Sequence, residues 1–201
     1  MKTYFTIIKR TQSIMMVLSV LILIGLPELI VYVPESTTQY TTAIYFIAHI
    51  SLFLVMIVRP LADILRGVKW IRPLVILRKG FGVFSASLIV SFMLSKIIVD
   101  PTGFFTAFGT PAYWSVTHMA LLAHCADISA VLLLITSNQL SKKILGVFWK
   151  RIQKLSYVYF FASGLYVTII LNDMMLPWFM STVIVLTTTA FIMNRNRVQG
   201  I

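Results

Sequence analysis

The chain is short of charge, of acidic residues and of cysteine. Asp, Glu, Lys and Arg make up only 11% of its 201 residues, and 6 are acidic. An ordinary soluble domain carries about 25% charged residues. Too few polar side chains are present to clothe a globule in water, which excludes a soluble fold. The single cysteine, Cys125, excludes a disulfide framework and any cysteine-based zinc or iron–sulfur site. No glycine-rich phosphate loop, His-Glu-x-x-His pair or nucleophile elbow occurs, and no extramembrane domain to hold a flavin or nicotinamide. What is abundant is apolar: 59% of residues are hydrophobic, which also excludes disorder. These proportions describe an all-α integral membrane protein.

Crossing a hydrocarbon layer of about 30 Å takes about 20 apolar residues at about 1.5 Å each. Six stretches qualify, near residues 13–33, 40–58, 80–99, 113–136, 155–171 and 174–193. A six-helix bundle forming one transmembrane domain, residues 1–201, is the expected architecture. The first stretch has a basic start, but its apolar run is too long for a signal peptide and lacks an Ala-x-Ala-like site.

Sixteen of the 17 basic residues fall before the first stretch, between the second and third, between the fourth and fifth, or after the sixth. Those are all on one side of a six-span chain. The other loops hold Glu35, Asp100 and Asp173 and no Lys or Arg. The positive-inside rule therefore predicts cytoplasmic termini, with insertion in the cell inner membrane. It also assigns the net charge of +11 to the bilayer, and nucleic acid is not an expected partner. The basic loop over residues 59–79 carries Ile64, Leu65, Val68, Trp70 and Ile71 among its charges and reads as an interfacial segment broken at Pro60 and Pro73, or as a solvated connector.

Three stretches carry a resemblance. One is the apolar helix ending in Arg59-Pro60-Leu61. A second is Arg78-Lys79-Gly80-Phe81-Gly82, with Asp100 where the following helix ends. The third is Leu145-Gly146, then Trp149-Lys150-Arg151-Ile152, then Leu155 and Tyr157. Over about residues 45–170 the chain resembles the ferric-reductase-like transmembrane domain, especially the haem-binding membrane subunits of bacterial methionine-sulfoxide reductase systems. That family holds b-type haem between histidines on facing helices. The resemblance places the expected ligands at Phe92, Gln153 and Tyr166. None is a histidine, and no histidine follows His124. The resemblance thus implies the scaffold of a membrane cytochrome with its haem positions replaced, and no cofactor is expected there.

Few polar groups remain within the apolar stretches. His49 and His124 each lie about 13–16 Å below the same surface, the minimum for a relocated haem b or, equally, for interhelical hydrogen bonds. His118 reads as an interfacial ring. Asp127 is the most costly residue, at least about 2.5–3.5 kcal/mol at a helix centre. It is expected to pair with His124 one turn earlier, to clasp Ser85, Ser87 or Ser91 on the third helix, or to handle protons or ligand. Glu28 and Lys96, both toward the outer surface, are candidates for an ion pair with each other. No residue is assigned a catalytic role and no metal site is expected. Three functions remain: an interaction or scaffold subunit of a larger membrane complex, a b-type electron-transfer subunit, and a small carrier using Asp127.

Overall fold

A computed structural model describes residues 2–32, 37–115 and 119–198. The chain is all-α; among the described residues there is no strand. In chain order the helices are α1 (Lys2–Tyr32), α2 (Thr37–Ile64), α3 (Leu77–Val99), α4 (Pro101–Phe108), α5 (Ala120–Thr136), α6 (Gln139–Leu145), α7 (Val147–Ile152), α8 (Leu155–Leu171) and α9 (Met175–Val198). Short 3-10 turns at Arg72–Ile76 and Pro111–Trp114 precede α3 and α5.

Among the described residues, four helices are long and apolar enough to cross a membrane, those spanning Thr3–Tyr32, Thr42–Ile64, Arg72–Val99 and Met175–Arg197. A fifth span results if α5 and α6, bent by 97° at their junction, are counted together. The expected fifth stretch, 155–171, coincides with α8, but its 17 residues reach only about 26 Å, short of a full hydrocarbon layer. The expected fourth stretch starts seven residues late, at Ala120 rather than Tyr113. The cause is local: Pro111 opens a 3-10 turn, and Met119 takes a left-handed conformation at φ 54°, which no helix can continue through.

The second helix, in contrast, overruns its expected end. Pro60 stands inside α2, which continues to Ile64. A proline this near a helix end removes one backbone hydrogen bond without stopping the chain. The remaining loop, with Leu65, Val68 and Trp70 exposed among Arg66 and Lys69, is correspondingly shorter than expected.

Helix α3 is the centre of the bundle. It packs on α1, α2 and α5; α8 lies against α5, and α9 closes on α2 and α8. Small hydroxyl residues make this closeness feasible, as in membrane interfaces generally. Ser85, Ser87, Ser91 and Ser95 are all buried. The Ser91 hydroxyl reaches the Ile22 carbonyl of α1 at 3.1 Å, and the Ser85 hydroxyl donates to the Ala48 carbonyl of α2 at 2.9 Å. At Gly80 even a methyl group would stand 3.2 Å from the Met15 Cβ, so α1 and α3 meet where a side chain is missing. Asp100, where α3 was expected to end, ends it. Its carboxylate accepts from the Gly103 N–H at 2.8 Å and so caps α4.

Candidate functional site

Helices α2, α3, α5 and α8 do not close completely on one another. They leave a cavity of about 250 Å³, roofed by Phe104 of α4 and by Tyr113. It lies in the half of the bundle away from the basic loops. Four of the five polar residues singled out from the sequence line it: His49, Lys96, His124 and Asp127. Two of the three positions where the resemblance puts haem ligands line it as well, Phe92 and Tyr166.

His49 is at the inner side, 4% exposed. Its Nδ1 lies 2.7 Å from the Tyr45 carbonyl one turn earlier on α2. A carbonyl only accepts, so Nδ1 carries a proton, and in the neutral ring Nε2 is then an acceptor. That Nε2 is buried and has no hydrogen-bond partner. The Ser163 main chain of α8 lies beside the ring without meeting hydrogen-bond geometry. A second, largely apolar cavity of about 320 Å³ between α2, α8 and α9 reaches Asp173, and His49, Tyr45 and Val167 form the wall shared by the two.

His124 sits under the roof. Its ring stacks on Tyr113 at 3.5 Å between centres, 10° from parallel, and meets the edge of Trp114 at 5.6 Å. The expected pairing of His124 with Asp127 is not made. No ion pair joins them; the imidazole is stacked on Tyr113, and both residues line the cavity. Nor does Asp127 clasp the serines of α3. Ser85 is engaged by Ala48 and Tyr159, and Ser91 by Ile22 and the Ser87 carbonyl. Asp127 is thus a half-buried carboxylate with no hydrogen bond among the described residues.

Lys96 is exposed at the mouth, with its ammonium 5.2 Å from the centre of the Phe92 ring. The expected ion pair between Lys96 and Glu28 is absent. Glu28 is exposed on α1 and outside the cavity, whereas Lys96 lines it together with Asp127. Lys96 and Asp127 therefore put opposite charges on one cavity without forming an ion pair with each other.

Gln153 is elsewhere. It follows α7 and points its amide at the Thr136 hydroxyl at 3.4 Å, while the Trp149 indole donates to the Thr136 carbonyl at 2.9 Å. This turn closes the basic end of α5, far from His49. His118 and Glu35 lie outside the described residues.

Sequence reasoning missed Tyr45, which lines both cavities and meets Phe92 edge-on at 5.4 Å. Its one-turn spacing from His49 was the available signal. Comparison of the chain with protein-family models, with curated proteins and with solved structures finds no match in any of the three.

Proposed function

We propose that the chain is a six-span inner-membrane protein with cytoplasmic termini, a haem-free relative of the ferric-reductase-like transmembrane domain, acting as an interaction or scaffold subunit of a larger, redox-type membrane assembly. The six-span count takes α5 with α6 as one crossing and α8 as a short one. It puts every cluster of basic residues on the same face. Lipid is one partner, and the remaining protein subunits contact the outer faces of the bundle.

The observation that carries the reading is the packing of Phe92. Where the resemblance places a haem ligand, an apolar ring stands edge-on to Tyr45 and beneath the Lys96 ammonium. Gln153, another of the expected positions, serves the α5 terminus instead. A visible spectrum of the purified protein, oxidised and dithionite-reduced, tests this. The expected result is no Soret band, with the chain migrating in native electrophoresis as part of a larger species. A stoichiometric, reducible Soret band overturns it.

One observation favours a second reading, a b-type haem subunit passing electrons from quinone or flavin to a periplasmic acceptor. His49 and His124 line the same cavity, and His49 Nε2 is free. The fit is poor. The cavity's 250 Å³ is below the range of about 300–1,000 Å³ for small-molecule sites, in which a tetrapyrrole belongs to the upper part. Tyr113 also covers the His124 ring face. The third reading, a carrier using Asp127, draws support from the presence of that carboxylate in the wall of the cavity.

A further inference from the structure

The scaffold reading leaves unexplained why a bundle so poor in charge should put a carboxylate, an ammonium and a bare imidazole nitrogen around one space. Buried polar groups in hydrocarbon are costly and are ordinarily paired. Here they are not paired with each other. Asp127 has no hydrogen bond among the described residues, His49 Nε2 is buried without a partner, and Lys96 contributes its charge to the wall without contacting Asp127 within ion-pair distance. Any occupant that completes this set must satisfy two kinds of group. His49 Nε2 and Asp127 are acceptors and require a donor, preferably a positive one. Lys96, at the mouth, has three N–H donors and calls for an anionic acceptor.

The walls between these groups are aromatic: Tyr45, Phe92, Tyr113 and Tyr166. Aromatic faces accept both apolar bodies and ammonium groups. The volume sets the size. A protein cavity of about 150 Å³ accommodates benzene, so 250 Å³ holds a ring of that size with a few further heavy atoms.

We infer that the cavity between α2, α3, α5 and α8 binds a small zwitterion with an apolar body, an amino acid with an aromatic or branched side chain, its ammonium directed to Asp127 and His49 Nε2 and its carboxylate to Lys96. The inference goes beyond the scaffold reading and does not depend on it, since a scaffold and a carrier can both hold a ligand. The phosphoethanolamine headgroup of a lipid is a zwitterion too, and it is the competing source of the same chemistry.

Equilibrium dialysis with radiolabelled L-phenylalanine on the full chain, in nanodiscs of phosphatidylglycerol, tests this. Saturable binding of one molecule per chain is expected. Phenethylamine, which lacks the carboxylate, and 3-phenylpropionate, which lacks the ammonium, should each compete at least tenfold more weakly. Lys96→Met and Asp127→Asn should each weaken binding at least tenfold. The absence of saturable binding overturns the inference, as does equal competition by either single-charge analogue. These arms use the unaltered protein, so they hold even if a variant misfolds. Loss of L-phenylalanine binding on adding phosphatidylethanolamine to the discs assigns the cavity to a lipid headgroup and overturns it as well.

Discussion

The phenol oxygen of Tyr159 on α8 lies 3.0 Å from the hydroxyl of Ser85 on α3, and that hydroxyl in turn donates to the Ala48 carbonyl of α2. Both residues are almost completely buried. Three helices are joined through one oxygen, directly beneath the cavity that Tyr159 helps to line.

Removing the phenol hydroxyl alone should loosen this junction measurably. A hydrogen bond typically contributes about 0.5–1.5 kcal/mol net, and interhelical ones in membranes average about 0.6 kcal/mol. Tyr159→Phe is expected to lower stability by about that amount. Ser85→Ala should cost more, because it leaves the buried Tyr159 phenol with only the Ser85 carbonyl, 3.3 Å away. Reversible unfolding in mixed micelles, followed by circular dichroism, measures both. Ser85→Ala no more costly than Tyr159→Phe would contradict the three-way arrangement.

The approach of α1 to α3 depends on Gly80. Its missing side chain leaves room for Met15, whose Cβ would stand 3.2 Å from an added methyl, and for Gln12. Gly80→Leu is expected to push the helices apart and to cost about 1–3 kcal/mol, as overpacking of a filled interface does. Gly80→Ala should be much milder, since a shift of a few tenths of an ångström relieves it. The same unfolding experiment separates the two. A Leu variant as stable as the parent would mean that α1 does not rest there.

Asp127 is predicted to be a stability liability. An isolated carboxylate within the hydrocarbon layer costs at least about 2.5 kcal/mol on insertion scales, and no hydrogen bond among the described residues offsets that cost. Asp127→Asn and Asp127→Leu should therefore leave the melting temperature unchanged or raise it. A fall of several degrees for the isosteric Asn variant would show that the carboxylate holds the bundle together and is not held ready for a ligand.

Topology is testable with single cysteines on a Cys125→Ser background. Arg66→Cys and Lys154→Cys lie in the basic connections, and Thr110→Cys and Asp173→Cys at the opposite end. In membrane vesicles of known sidedness, a membrane-impermeant maleimide should label one pair and spare the other. Labelling of all four from one side would exclude the crossing count proposed for α5 and α8.

Several features of the fold were legible in the residues because they depend on local chemistry. Asp100 reads as the end of a helix, and α3 ends there, although the short α4 that Pro101 opens is not foreseen. The 155–171 stretch coincides with α8 as a helix, though not as one long enough to cross a membrane by itself. Legibility failed where neighbours decide. Pro60 reads as a helix stop, yet α2 passes through it and packs against α3 and α9 on either side. Asp127 and His124, one turn apart, read as a pair, yet Tyr113, from outside the helix, takes the imidazole face. Glu28 and Lys96 read as partners, yet Lys96 lines the cavity and Glu28, exposed on α1, does not.

By itself the sequence determined that this protein is helical, that its helices belong in a bilayer, and on which ends its positive charge gathers. Those properties are sums over residues and require no knowledge of which helix meets which. Only the tertiary structure decided that His49, Lys96, His124 and Asp127 share one space and that Ser85 joins three helices. The physical reason is rotational. A helix that is apolar all round carries no stripe to say which face turns inward. Its orientation is set by the small residues and hydroxyls of its neighbours. The polar residues on three helices converge only once those contacts have fixed each helix about its own axis.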